Sequence, residues 1–366
     1  MDLSTLRDRL TRIDTELLGL VAERQRLSQE IARVKRATGH PTRDYGRERE
    51  VIMNARAVAE RVGVPPRVAE QLLRLLIRSS LTTQEQAIVA AQHLGAGRRA
   101  LVIGGAGKMG RWFADYLASQ GFAIEIADPS EAATGYPRIA DWRQSSLEHD
   151  LIVVATPLGM MQDVLLQLAQ RRPSGLVFDI GSLKTPLRAG LGALVAAGVR
   201  TASIHPMFGP DTDLLSGRHV LHIDLGDPAA AREAQELFAS TMVTQVMTTL
   251  DDHDRLIAYV LGLSHAVNIA FFTALAESGE AAPRLVRLSS TTFDAQFDVA
   301  ARVAGESPAL YFEIQRLNEH GAESLEALSA AVAKLRAAVE SGDAAAFEQL
   351  MLKGRAYVAG RQAAPA

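Results

Sequence analysis

Apolar residues recur at alternating spacings near three and four through Leu6, Leu10, Ile13, Leu17, Leu20, Leu27, Ile31 and Val34, in a stretch (residues 4–38) that contains no proline. That spacing predicts one long helix with an apolar seam. Where the seam's next member should follow Leu20 by four residues, the residue is Arg24. A guanidinium in an apolar stripe needs an anionic partner, either a carboxylate from a neighbouring helix or a small ligand. Gly39 and Pro41 end the helix, and a second begins near Arg43 with Asp44, Arg47 and Glu48 at i, i+3 and i+4. Gly63, Pro65 and Pro66 separate it from a third, in which Ser80 and Gln84 lie one turn apart. Three helices this unequal cannot bury a seam of about 50 Å alone, so a second chain is expected to cover it.

From residue 99 the pattern changes to short apolar runs alternating with helical segments. Strands are predicted at 99–103, 123–127, 151–155, 176–180 and 201–204, with helices between them, which implies a parallel sheet wound from both sides. Ligands in such sheets sit at the carboxyl ends of strands, which groups Thr156, Gly181, Ser182, His205 and Pro206 on one rim. Glu85 to Arg98, with Gly95 and Gly97, reads as connecting sequence, its core at 93–98. Beyond residue 250 the pattern is helical, including 308–339 and 344–361, with a frayed tail expected after Gly360. Leu256 to Ala276 carries no formal charge over 21 residues, long enough for a bilayer. It also holds Tyr259, Ser264, His265 and Asn268, costly in lipid, so a buried helix is expected and no membrane span.

Composition narrows the chemistry. The 366 residues allow two or three domains, and 48% hydrophobic content supports ordinary cores. With no cysteine, disulfides, thiolate metal sites and a cysteine nucleophile are excluded, and a metal site is not expected. The N-terminus is charged from Asp2, which does not fit a secretory signal, so a cytoplasmic location is expected. Residues 1–90 hold sixteen Lys/Arg against twelve Asp/Glu in a chain of net charge -3. The arginines are interleaved with acids, so small anions are expected as partners and nucleic acid is not.

The break from strand to helix at RALVIGGAGKMGR carries the first specific chemistry. Gly105, Gly107 and Gly110 fit G-x-G-x-x-G: a sharp turn, a close approach to pyrophosphate, and tight packing of helix on strand. Lys108 and Met109 fall inside the turn, and the helix that follows offers its amide groups to phosphates. Asp128 ends the next strand eighteen residues after Gly110, where an acid binds the ribose hydroxyls and repels a 2′-phosphate, so NAD is expected.

In the N-terminal helices, Lys35 lies eleven positions after Arg24, within about 20° of the same face and roughly 16 Å along the axis. The two cations could bracket a small dianion. Arg7 precedes Arg24 by seventeen residues, roughly 26 Å, so it could reach the same molecule only from a second protomer. Arg7, the AER ending at Arg24, Lys35, RDYGRERE with Asp44, Arg47 and Glu48, and SLTTQ with Ser80 and Gln84 together resemble the all-helical chorismate mutases. The resemblance implies a dimer interlocked through the long helix, with Arg7 entering the partner's site. It implies Arg7 and Arg24 on the carboxylates of chorismate, Lys35 and Gln84 on the ether oxygen and Glu48 on the ring hydroxyl, with Asp44, Arg47 and Ser80 in the pocket.

HPMFGPD around His205, GSLK at 181–184, DDHD at 251–254, LSHAVNIAFF with His265 and ARVAGESPALY with Arg302 resemble the prephenate dehydrogenases. The resemblance implies that His205 draws the proton from the substrate hydroxyl, Ser182 orients substrate and histidine, and Arg302 holds the ring carboxylate, with His265 nearby. Asp294 stands about where the family carries an arginine, and STTFDAQFD around it departs from the pattern.

The two resemblances imply a bifunctional chorismate mutase/prephenate dehydrogenase of tyrosine biosynthesis, cytoplasmic and homodimeric, with tyrosine as an expected feedback ligand. The expected fold is multidomain: an all-α three-helix module over 1–92, a linker over 93–98, an α/β Rossmann-type NAD-binding domain over 99–250 and an all-α helical dimerisation domain over 251–366. Two alternatives stand beside it: arogenate as the preferred dehydrogenase substrate, or N-terminal helices that only bind an aromatic ligand and regulate.

Overall fold

A computed structural model describes residues 2–360; the tail after Gly360 lies outside the described residues. The chain forms two compact units. The first runs to Ser182 and includes Leu187–Thr249, and the second joins Leu183–Pro186 to the chain from Leu250 on.

In the first unit, the N-terminal helices are α1 (Leu3–Thr38), α2 (Tyr45–Val62) and α3 (Pro66–Gln92). Asp2 caps α1 by accepting from Thr5 N, and Gly39 closes it in the left-handed region at φ 68°. Asp44 caps α2, accepting from Arg47 N at 2.9 Å. The apolar seam of α1 is exposed in the single chain, Leu10 by 59% and Leu20 by 64%. Arg24 is not a gap in that seam. It leads a second stripe, Arg24, Ser28, Ala32 and Lys35, at i, i+4, i+8 and i+11, in which Ser28 and Ala32 are buried.

α3 continues to Gln92, so Glu85 is helical and the loop before the sheet is 93–98. No helix breaker occurs before Gly95, which is why the helix runs on. An eight-stranded sheet follows, in the order β3-β2-β1-β4-β5-β6-β7-β8. Its strands are β1 (Arg99–Ile103), β2 (Ala123–Ala127), β3 (Arg138–Ile139), β4 (Leu151–Val154), β5 (Leu176–Asp179), β6 (Thr201–Pro206), β7 (His219–Ile223) and β8 (Thr244–Thr248). β1 to β6 pair in parallel, in the doubly wound 3-2-1-4-5-6 order. The sheet is not wholly parallel, because β7 pairs antiparallel with β6, His205 opposite Leu221. Helices α4 (Lys108–Ser119), α5 (Leu158–Arg171), α6 (Arg188–Ala196) and α7 (Pro228–Glu236) cover the sheet. Phe113, Phe178 and Phe238 are no more than 1% exposed in the core, each worth about 1.5–3 kcal/mol of burial.

The second unit is helical: α8 (Leu250–Ile257), α9 (Ser264–Glu277), α10 (Ala282–Arg287), α11 (Thr291–Ala304), α12 (Pro308–Leu317), α13 (Gly321–Glu340) and α14 (Ala344–Gly360). A π-helical turn, Ala258–Leu263, joins α8 to α9 into one run. The run is long and apolar enough to cross a membrane by length and composition. The burial expected of it is not found in the single chain, where Leu256, Tyr259, Val260 and Val267 are all exposed.

Candidate active sites

α1 and α3 bring Arg24 and Ser80 together. The Arg24 guanidinium donates through Nη1 to Leu76 O at 2.7 Å and to Ser80 Oγ, and Ser28 Oγ donates to Ser80 Oγ at 2.9 Å. These partners are neutral, and among the described residues Arg24 forms no ion pair. Burial lowers the Arg24 pKa, so its charge is partly desolvated without an anionic side chain to offset it. One turn beyond Ser80, Gln84 is buried and its Oε1 has no hydrogen-bond partner among the described residues. Lys35 donates to Thr42 O at 2.7 Å. A partly desolvated cation whose partners are neutral is suited to a small carboxylated ligand.

The rest of the expected mutase set is distributed differently. Glu48 lines a cavity of about 680 Å³ with Arg43, Ile52, Leu81, Ser216 and Arg218. Its carboxylate is gripped by Arg43, Nε to Oε1 at 2.8 Å and Nη2 to Oε2 at 3.0 Å, which raises the Arg43 pKa. Arg47 is exposed and pairs with Glu50 at 3.1 Å, Asp44 serves as the α2 cap, and Arg7 is exposed on α1. Arg43, Ser28 and Ser216 had no distinguishing signal in the sequence, since an arginine–glutamate pair five residues apart is common on helical surfaces.

The glycine turn lies between β1 and α4. Gly105 and Gly110 are buried; a Cβ at Gly110 would fall 2.2 Å from Gly104 O, and one at Gly105 2.7 Å from the Ile126 side chain. Gly104, outside the G-x-G-x-x-G spacing, carries the left-handed backbone at φ 86°, and its Cβ would meet Ala155 O at 2.6 Å. The doublet Gly104-Gly105 was the available signal for it. Asp128 reaches back from the end of β2, accepting from Ala106 N at 3.0 Å and Ser130 N at 2.9 Å. Lys108 opens α4, and Met109 packs on the sheet core. Just beyond β4 the Thr156 hydroxyl is buried without a hydrogen-bond partner among the described residues. A backbone cradle that side chains would fill, an acid at its edge and an unsatisfied hydroxyl on its rim fit a dinucleotide.

His205 lies in β6, only 4% exposed, and Ser182 is half-buried just beyond β5, at the last position of the first unit. The GSLK run divides there, because Leu183 and Lys184 belong to the second unit. In that unit Asp254 is fully buried and accepts from Lys184 N at 2.9 Å, Thr185 N at 2.7 Å and His253 Nδ1 at 2.6 Å. Burial raises its pKa, but these hydrogen bonds more than offset that and hold it below the usual carboxylate range. DDHD thus ties Lys184 and Thr185 to α8. His265 follows the π turn, with its ring edge-on to Tyr311 at 4.2 Å between centroids. Burial pushes its pKa down to about 4, and its Nδ1 has no hydrogen-bond partner among the described residues. Arg302 is exposed in the last turn of α11, and Asp294 accepts from Ser289 Oγ in the first.

Comparison with known proteins follows this division. Residues 6–85 match the family model of chorismate mutase type II, 128–245 that of the prephenate dehydrogenase nucleotide-binding domain, and 249–353 that of the prephenate dehydrogenase dimerization domain. The T-protein of Enterobacter agglomerans is 27% identical over 94% of this chain and 90% of its own length. The chain belongs to the bifunctional chorismate mutase/prephenate dehydrogenase family. Its N-terminal helices are the chorismate mutase module and the remainder the prephenate dehydrogenase module. The 4-amino-4-deoxyprephenate dehydrogenase of Streptomyces pristinaespiralis is 31% identical over 70% of this chain and 90% of its own. A prephenate dehydrogenase from Aquifex aeolicus, solved with hydroxyphenyl propionate and NAD+, shares the fold of the dehydrogenase module. It is 18% identical, with a TM-score of 0.57 over 72% of this chain and 97% of its own.

Proposed function

We propose that this bifunctional enzyme of tyrosine biosynthesis rearranges chorismate to prephenate and oxidatively decarboxylates prephenate to 4-hydroxyphenylpyruvate with NAD. The observation that carries the reading is the presence of both constellations on one chain. The first is the neutral-partnered Arg24 beside the unsatisfied Gln84, and the second is the glycine cradle edged by Asp128.

The mutase step needs no nucleophile. Its site must hold a dicarboxylate in the compact conformer and stabilise charge growing on the ether oxygen. Arg24, with Arg7 from a second copy, takes the carboxylates; Lys35 and Gln84 donate to the ether oxygen; Glu48 accepts from the ring hydroxyl. Ser80 positions Arg24, and Asp44 and Arg47 fix the start of α2. Gln84 is a donor at any pH, so this step does not require an acidic medium.

In the dehydrogenase module Gly105, Gly107, Lys108, Met109, Gly110, Asp128 and Thr156 hold the dinucleotide. NAD, when bound, supplies the hydride acceptor. His205 accepts a hydrogen bond from the ring hydroxyl and takes its proton, with Ser182 orienting both. Arg302 binds the ring carboxylate, and His265 serves as a neutral member of the substrate site. Loss of carbon dioxide yields an aromatic ring, which makes the step strongly downhill.

A homodimer completes this reading. The exposed α1 seam and the exposed apolar face of Leu250–Glu277 are both suited to a second copy in a cytoplasmic enzyme, and the segment 249–353 matches a dimerization domain. The test of the function is NADH formation from chorismate and NAD alone, which requires both modules.

A further inference from the structure

The cavity beside Glu48 is closed by a loop that does not belong to the mutase module. Residues 207–218 connect β6 to β7 in the Rossmann sheet, and Leu214, Ser216 and Arg218 from this loop line the cavity opposite α2 and α3. One side chain crosses the gap. Arg43, just ahead of α2, spends two of its donors on the Glu48 carboxylate and a third, Nη1, on Ser216 Oγ at 2.6 Å. The guanidinium is further constrained by the Tyr45 ring, 4.4 Å from its carbon. Its planar fork therefore has little freedom left, and neither does the carboxylate it grips.

The loop is itself anchored to the mutase helices. Glu85, one residue after Gln84 on α3, is buried and accepts from Leu215 N at 2.7 Å, immediately beside Ser216. Its other oxygen accepts from Met242 N at 2.6 Å, before β8. Ser216 is thus presented to Arg43 by a backbone fixed in place.

We propose that Arg43 and Ser216 are positioning residues for the mutase reaction: Ser216, supplied by the dehydrogenase module, holds the Arg43 fork that aims Glu48 at the substrate. The inference rests on the reading of Glu48 as the acceptor of the ring hydroxyl. Each Glu48 oxygen keeps a second lone pair for that hydroxyl while Arg43 fixes the plane of the carboxylate. The mutase site is, in this account, finished by a residue more than a hundred positions outside the mutase helices.

The test is a double-mutant cycle on mutase kcat/KM in the full-length protein, with Ser216→Ala, Ser216→Thr and Glu48→Gln, and thermal melting to establish that each variant folds. Ser216→Ala should lower kcat/KM about three- to tenfold, the net scale of one ordinary hydrogen bond. Ser216→Thr, which keeps the hydroxyl, should restore it, and Ser216→Ala should add nothing in the Glu48→Gln background. An equal loss from Ser216→Ala in both backgrounds, or no loss in either while Glu48→Gln is impaired, overturns the proposal. If Glu48→Gln alone leaves kcat/KM unchanged, the reading of Glu48 as a substrate contact fails and takes the proposal with it.

Discussion

The carboxylate of Glu85, on the last mutase helix, accepts a hydrogen bond from the backbone N–H of Leu215 in the Rossmann sheet's β6–β7 loop at 2.7 Å. With Met242 N at 2.6 Å on its second oxygen, Glu85 is a buried clamp between the two modules of the first unit. Glu85→Gln keeps the shape but turns one acceptor towards an N–H as a donor, stranding a buried amide. We expect a loss of about 1–3 kcal/mol in urea unfolding, seen as a lower midpoint.

The glycine turn tolerates no side chain at Gly110, where a Cβ would lie 2.2 Å from Gly104 O and 2.8 Å from Gly105 Cα, both backbone atoms. Gly110→Ala should abolish NAD-dependent turnover and leave the mutase rate intact. At the edge of the turn, Asp128→Ser should raise KM for NAD by about tenfold, through loss of charge-assisted hydrogen bonds to the ribose. It should also narrow the gap to NADP, because the charge that repels a 2′-phosphate is gone. Steady-state assays with both cofactors check this.

The position of Arg7 makes a crossed experiment decisive for the proposed mutase dimer. Arg7 is exposed on α1 of its own chain, with the exposed seam residues Leu6 and Leu10 beside it. Arg7→Ala and Arg24→Ala should each abolish mutase activity alone. Co-expressed, they should recover about a quarter of the wild-type rate, since half of the dimers are mixed and each holds one intact site. No recovery would mean that Arg7 does not act across chains.

His265, with its pKa pushed down to about 4 by burial, should stay neutral throughout the working range. Its unfolded pKa is near 6.5. The stability that comes from keeping it neutral is therefore complete above about pH 6.5 and is lost as the pH falls towards about 4. A proton-resonance titration of the His265 ring should find the low midpoint. His265→Gln should flatten the acid limb of the stability profile.

Much of this architecture was legible in the residue pattern, and the exceptions have physical causes. Period-3.6 seams and Gly/Pro breaks marked the three N-terminal helices, and buried parallel strands such as Leu151–Val154 read as unbroken apolar runs. β3 has two residues and β8, Thr244–Thr248, is only partly buried, so neither carries a strong run. Gln84 was legible through its spacing from Ser80. Glu85, its neighbour, was not, because its partners are backbone amides of Leu215 and Met242, far away in sequence. Leu256 to Ala276 misled because lack of charge indicates a surface that must be covered, but not whether the same chain covers it.

Two active sites acting in sequence on one chain are tested by NADH formation when the purified protein is given chorismate and NAD. NADH absorbance should rise after a short lag while prephenate accumulates. Lys35→Ala should remove the rise, and adding prephenate should restore it. Absence of NADH from chorismate while prephenate is oxidised normally would contradict the claim.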